Sequence, residues 1–142
     1  MKVLFPFVGD SIGGSHRSIL ELYGFLKNST ATPIFILHKV GVLSDLLDSY
    51  NIQYEYIPIK NLAGESPNLF KIAFDIVFSY FKIRKFIYKN KIDIVHGNDL
   101  RINLTWSLPT RLSSASYVWH QRSLMSSSIL WMTSAILADH FI

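Results

Sequence analysis

The chain has 142 residues, 49% of them hydrophobic and 14% aromatic, and a formal charge of +4. This composition excludes a disordered polypeptide and supplies enough apolar residues for one domain with a sizeable core. The absence of cysteine excludes a disulfide framework and thiolate metal sites and fits a reducing compartment, while the modest positive charge permits an anionic partner without choosing one.

Residues 2–26 (KVLFPFVGDSIGGSHRSILELYGFL) read as a strand, a glycine-bearing turn and an amphipathic helix. Residues 3–8 are nearly all apolar, as in a strand covered on both faces, although Pro6 removes a ladder donor there. Gly9, Gly13 and Gly14 carry no Cβ, so the backbone can turn tightly and approach a ligand closely. Ser15 is the expected N-cap, and Ile19, Leu22, Tyr23 and Leu26 share one helical face. The unpaired amides of such a helix start favour an anion.

A polar turn at 28–32 leads to a second strand at 33–38 (PIFILH). Gly41 begins a short helix with Leu43, Leu46, Leu47 and Tyr50 on one face, and 53–57 (QYEYI) form a third strand near a sheet edge. The loop 60–68 places Pro67 to start the next helix, which is long and aromatic and spans Leu69–Asn90. A fourth strand at 92–96 (IDIVH) precedes the turn Gly97-Asn98-Asp99. The helix after it, 100–112, contains Pro109, a kink or break point. A fifth strand at 117–120 (YVWH), a polar loop at 121–128, a helix at 129–138 and a strand starting at 140 complete the chain, which reads as unfinished at Ile142. The alternation predicts an α/β fold: a Rossmann-like, doubly wound parallel sheet with helices on both faces.

In such a sheet, ligands bind at the carboxyl ends of the strands. Asp10 and Ser11, His38, then His96, Asn98 and Asp99, then His120, Gln121 and Arg122 all fall there. Three of the five histidines end strands on this rim, and each one is as readily structural as functional. A dinucleotide site is disfavoured, because Gly9, Gly13 and Gly14 do not make G-x-G-x-x-G and no acid follows the second strand. Gly9-Asp10-Ser11-Ile12-Gly13 satisfies G-x-S-x-G and resembles the Gly-Asp-Ser esterases. The Asp-x-x-His that would complete a triad is missing, since Asp139 and His140 are adjacent. Neither carboxylates nor histidines show spacing that demands a metal. Two glycosylation sequons, at Asn28 and Asn103, carry no weight without other signs of secretion.

A third reading accounts for more of the chain. In order it has the strand KVLFPFV, Ile12-Gly13-Gly14 entering a helix, Gly41-Val42-Leu43 with Leu46-Leu47, and Asn51-Ile52 before YEYIPI. Ile92-Asp93-Ile94-Val95-His96, Val118-Trp119-His120 and Ala138-Asp139-His140-Phe141-Ile142 follow. In these pieces the sequence resembles the N-terminal domain of family 4 glycosyltransferases of the GT-B fold. The resemblance implies an acceptor-side domain, with a second, C-terminal domain that binds the nucleotide-diphosphate sugar and supplies the acids of an E-x7-E motif. That second domain is not in these residues, so the chain alone is expected to be inactive. The resemblance further implies that Gly13 and Gly14 donate amides to the donor diphosphate, and that His120 serves the reacting centre. His96, Asn98, Asp99, Arg122, Ser15 and His16 fall at acceptor-side positions. It calls for no cofactor beyond the sugar donor and no metal, and places the enzyme in the cytoplasm. Ser15-His16 and Gln121-Arg122 depart from the common Ala-Glu and His-Asp patterns, which leaves the acceptor open. A non-catalytic docking module with the same fold is the alternative.

Residues 69–91 carry six basic side chains against Asp75 alone, interleaved with Phe70, Phe74, Phe78, Phe81, Phe86 and Tyr88. The preferred expectation is a crossover helix with Phe70, Phe74, Val77 and Phe81 in the core and its lysines in water. The other reading is a face resting on an anionic membrane, suited to a lipid-linked acceptor at the inner membrane surface. Nucleic acid is not expected, because no module for it accompanies the basic residues.

Overall fold

The strands and helices of the chain alternate strictly. In the computed structural model, which describes residues 1–59, 62, 68–121 and 129–142, they are β1 (Lys2–Phe7), α1 (Gly14–Leu26), β2 (Thr32–Leu37), α2 (Val42–Ser49), β3 (Tyr54–Tyr56) and α3 (Leu69–Asn90). After these come β4 (Ile94–Gly97), α4 (Leu100–Arg111), β5 (Ser116–Trp119), α5 (Ile129–Ile136) and β6 (His140–Phe141). Arg122 and most of the loop 60–68, Pro67 included, lie outside the described residues.

The sheet is wholly parallel, in the order β3-β2-β1-β4-β5-β6. Strands are added outward from β1 in one direction through β3 and then in the other from β4. The switch point therefore lies between β1 and β4, where the two following loops diverge and leave a crevice. Pro6 is accommodated because β1 pairs with β4 only at Val3 and Leu4, so the proline stands beyond that ladder.

Both faces of β1 are buried, as its unbroken apolar run requires. Val3, Phe5 and Phe7 pack with Phe35, Leu37, Ile19, Leu43 and Leu47 under α1 and α2. Leu4 and Val8 pack with Ile36, Val95, Ile83, Ile87, Ile102 and Trp106 under α3 and α4. Full burial of such a side chain contributes about 1.5–3 kcal/mol, so these two layers hold the central strands in place.

Three local expectations are corrected. The N-cap of α1 is Gly13, not Ser15; the side chain of His16 reaches back to accept the Gly13 amide at 3.0 Å. Gly41 and Ser44 repeat the device at α2, at 2.9 Å. In both helices the capping side chain sits three residues inside, which frees the cap position for glycine. At α4 the helix stands where expected, and only the break alternative at Pro109 is corrected, since the helix continues through it to Arg111.

The third correction concerns α3. Its boundaries are as expected, but Phe70, Phe74, Val77 and Phe81 are exposed rather than in the core. The sheet-facing side is instead made by Ser79, Ile83, Phe86 and Ile87. Aromatic density pointed to burial, but the helix needs only one face for the sheet, and its branched aliphatics occupy that face.

Candidate functional site

The crevice at the switch point is bordered by the loops after β1 and β4 and, among the described residues that follow β5, by His120. Gly9 turns the chain out of β1 with φ +103°, and a Cβ there would stand 2.0 Å from the Lys39 carbonyl oxygen, so only glycine fits. Gly13 and Gly14 are different. Both are exposed, and a Cβ on Gly14 would meet nothing within 4 Å. The fold itself does not require glycine there, which leaves room for a ligand to approach the backbone. The Gly14 and Ser15 amides head α1 with no hydrogen bond among the described residues, as the first turn of a helix leaves them.

Two links cross the switch point and hold this helix start. The side-chain amide of the buried Asn98 donates to the Ser15 carbonyl at 2.7 Å. Arg101 makes a two-pronged pair with Asp10 at 2.8 and 3.0 Å. Hydrogen bonding from Arg101 holds the Asp10 carboxyl below its usual range. Arg101 also reaches Asp99, whose carboxylate caps α4 by accepting the Arg101 amide at 2.8 Å. Asn98 and Asp99 thus spend these side-chain contacts on positioning the loop. His16 is buried as well, tilted against Phe7 at 5.2 Å between centroids, and burial pushes its imidazole down, towards the neutral form.

His96 and His120 come together. Their rings stack at 5.5 Å and 11°, with His96 Nε2 3.3 Å from His120 Nδ1, and both are half-buried. One proton serves that contact. When His96 Nε2 carries it, the neutral His120 has its own proton on Nε2; when His120 Nδ1 carries it, Nε2 is a lone pair. The pair can therefore accept a proton or polarise a bound hydroxyl. His96 also leans on Phe5 at 5.4 Å, which places the pair directly over the central strand.

His38, grouped with this rim by sequence, has another role. It is 1% exposed; its Nδ1 donates to the Ile57 carbonyl and its Nε2 accepts the Trp106 indole N–H, both at 2.9 Å. Burial pushes it down to about 4. It is a structural pin. Ser11 lies against the Asp10 carboxylate, and no hydrogen bond from it to an imidazole is found among the described residues. A cleft of about 430 Å³ opens between β3 and α3, lined by Lys39, Tyr56, Ile59, Phe78 and Lys82 among others; neither the glycine loop nor the histidine pair lines it. Sequence reasoning missed Arg101, whose partner Asp10 is 91 residues away and gives no local signal.

No known protein-family model matches the sequence, and no curated protein matches it. Solved structures do match in shape. MurG from Acinetobacter baumannii superposes with a TM-score of 0.73 at 18% identity, covering 99% of this chain and 40% of MurG. One half of a GT-B fold is what this sheet forms. Another GT-B match is Anabaena HepE in complex with UDP-glucose, with a TM-score of 0.65 and 16% identity over 99% of this chain and 35% of HepE. The UDP-GlcNAc 2-epimerase from Neisseria meningitidis bound to UDP-GlcNAc gives 0.65 and 18% over 97% of this chain and 39% of the epimerase. The chain thus spans about two fifths of the length of these GT-B proteins or less. An epimerase is among the proteins that share the fold, so the GT-B architecture alone does not set the reaction.

Proposed function

We propose that this chain is the N-terminal, acceptor-side half of a family 4 GT-B glycosyltransferase. The full enzyme moves a sugar from a nucleotide-diphosphate donor to an acceptor hydroxyl with retention of configuration, on the cytoplasmic side of a membrane. The observation that carries the reading is the α1 start: two exposed glycines, with open space where a Gly14 Cβ would stand, Gly14 and Ser15 amides without a hydrogen bond among the described residues, and the Asn98 link to the Ser15 carbonyl.

In the reaction, a bond forms between the acceptor oxygen and the anomeric carbon while the bond from that carbon to the diphosphate oxygen breaks. The electron pair leaves on the diphosphate, and the acceptor hydroxyl's proton passes to an oxygen of that departing diphosphate. Of the two amides expected there, that of Gly13 is already accepted by His16 Nδ1, so in this reading the Gly14 amide, with that of Ser15 beside it, faces the charge that grows on the leaving group, where fixed donors act most strongly. His120, tuned by His96, contacts the transferred sugar or the reacting hydroxyl. Ser15 and His16 shape the glycine loop, Asn98 and Asp99 position the acceptor loop, and Arg122 pairs with a phosphate or carboxylate of the acceptor. Donor-sugar binding and the E-x7-E acids belong to the C-terminal half.

The test uses the protein at its natural length with a panel of UDP-sugars, the donor type held by the HepE and epimerase structures. Acceptor-dependent release of UDP, reduced by His120→Ala, is the expected result. Tight UDP-sugar binding without turnover on any acceptor would favour the docking module. Interconversion of the donor sugar without an acceptor would assign an epimerase.

A further inference from the structure

The N-terminal part of α3 presents an aromatic face to solvent: Phe70 is 89% exposed, Phe74 68%, Phe78 63% and Phe81 69%. At about 3.6 residues per turn, Val77 and Tyr88 fall on the same side, and so do Lys71, Lys82, Lys85 and Lys89. All are exposed. The one acid of the helix, Asp75, lies at the margin and is half-buried. The Lys82 ammonium sits 5.2 Å over the Phe78 ring, and the Arg84 guanidinium 5.5 Å over Tyr88. Cations and aromatics are therefore mixed on one surface rather than segregated.

We propose that this face docks on the surface of a bilayer containing anionic lipid. The mixture of residues decides the occupant. A protein partner would bury the rings and with them several lysines, a residue type depleted from protein interfaces because its ammonium is costly to dehydrate. At a lipid surface the same lysines extend their stems along the acyl boundary and leave their charges among the phosphates. The rings meanwhile enter the interface, so each residue type meets its preferred environment. Among the described residues no helix is long and apolar enough to cross a membrane, so α3 would lie flat in the interface. Phe78 and Lys82 also line the cleft beside Lys39, which joins the docking face to the carboxyl ends of β2 and β3. A domain seated this way turns that side of its rim towards the lipid. The inference stands apart from the sugar chemistry, because its readout involves no turnover.

The experiment is co-sedimentation of the natural-length protein with phosphatidylcholine vesicles, with and without phosphatidylglycerol. Binding should require the anionic lipid and weaken as salt is raised. Phe74→Ser with Phe78→Ser should reduce partitioning about tenfold or more, and Lys82→Glu with Lys85→Glu should do likewise. Because these side chains are exposed, all four substitutions should leave the melting temperature near that of the parent, so lost binding cannot be blamed on unfolding. Absence of vesicle binding, equal binding to neutral and anionic vesicles, or equal binding by parent and variants would each overturn the proposal. So would a dimer that the phenylalanine changes dissociate in a protein that ignores vesicles.

Discussion

The Trp106 indole N–H donates to His38 Nε2 at 2.9 Å and joins α4 to the end of β2, 68 residues away in the chain. The other ring nitrogen is occupied by the Ile57 carbonyl. This imidazole has no lone pair left to protonate without breaking a buried hydrogen bond.

A pH dependence of stability follows. The folded pKa of His38 is about 4 against an ordinary 6.5. Between those values the unfolded chain binds the extra proton and the folded chain does not, so stability is complete above pH 6.5 and lost as the pH falls towards 4. The contribution is about 3 kcal/mol, and burial of His16 adds to it in the same direction. Denaturant unfolding at several pH values should show the slope. His38→Leu should lower stability at pH 7 by roughly 1–3 kcal/mol and flatten the slope; an unchanged slope would deny His38 this role.

Gly9 and Gly14 should separate stability from activity. Gly9→Ala forces a Cβ into the Lys39 carbonyl at a positive φ and should cost about 2–4 kcal/mol. Gly14→Ala meets open space and should leave the melting temperature almost unchanged. Under the proposed function, however, it should raise KM for the nucleotide sugar in the natural-length protein about tenfold or more, by obstructing the diphosphate. Normal kinetics for Gly14→Ala would remove the donor from this loop.

If the proposed transfer is the reaction, His120→Ala in the natural-length protein should lower turnover by about a hundredfold or more with little change in unfolding, since the ring is half-buried and stacked on its neighbour. His96→Phe keeps the stacking but removes the shared proton. Its expected signature is a displaced pH–rate profile together with a smaller loss of turnover. Near-normal rates for His120→Ala would take the pair out of the reaction.

Gly97 is constrained by packing. A Cβ there would lie 2.1 Å from both the Asn103 amide and the Tyr117 hydroxyl, which are hydrogen-bonded to each other at 2.8 Å in the core. Gly97→Ala should therefore cost about 2–4 kcal/mol. The double variant Gly97→Ala, Tyr117→Phe should recover part of that loss in a thermal melt, because the phenylalanine leaves space where the hydroxyl stood.

The parallel sheet was legible because its signal is local. Apolar runs such as VLFPFV and PIFIL end in glycine or polar turns, and the limits of α3 follow from its caps and composition. Residue roles were less legible, because they depend on what lies opposite. His38 ends a strand just as His96 and His120 do, yet Trp106 descends on it and covers it. The aromatics of α3 have helical periodicity on both sides, so pattern alone could not say which side meets the sheet. Asp10 offered no hint of Arg101, and the capping of α1 from inside by His16 left Ser15 looking like the natural cap. Whether Arg122 joins the site lies outside the described residues.

The hydrogen bond from Asn98 to the Ser15 carbonyl ties the loop after β4 to the first turn of α1. A ligand that bound the amides of that turn would act on one end of this link, and one that bound the loop would act on the other. Any cooperativity carried by this link is reciprocal: by whatever factor the first ligand changes affinity for the second, the second changes affinity for the first. Order of addition would then affect how quickly a ternary complex assembles, but not how tightly it is held.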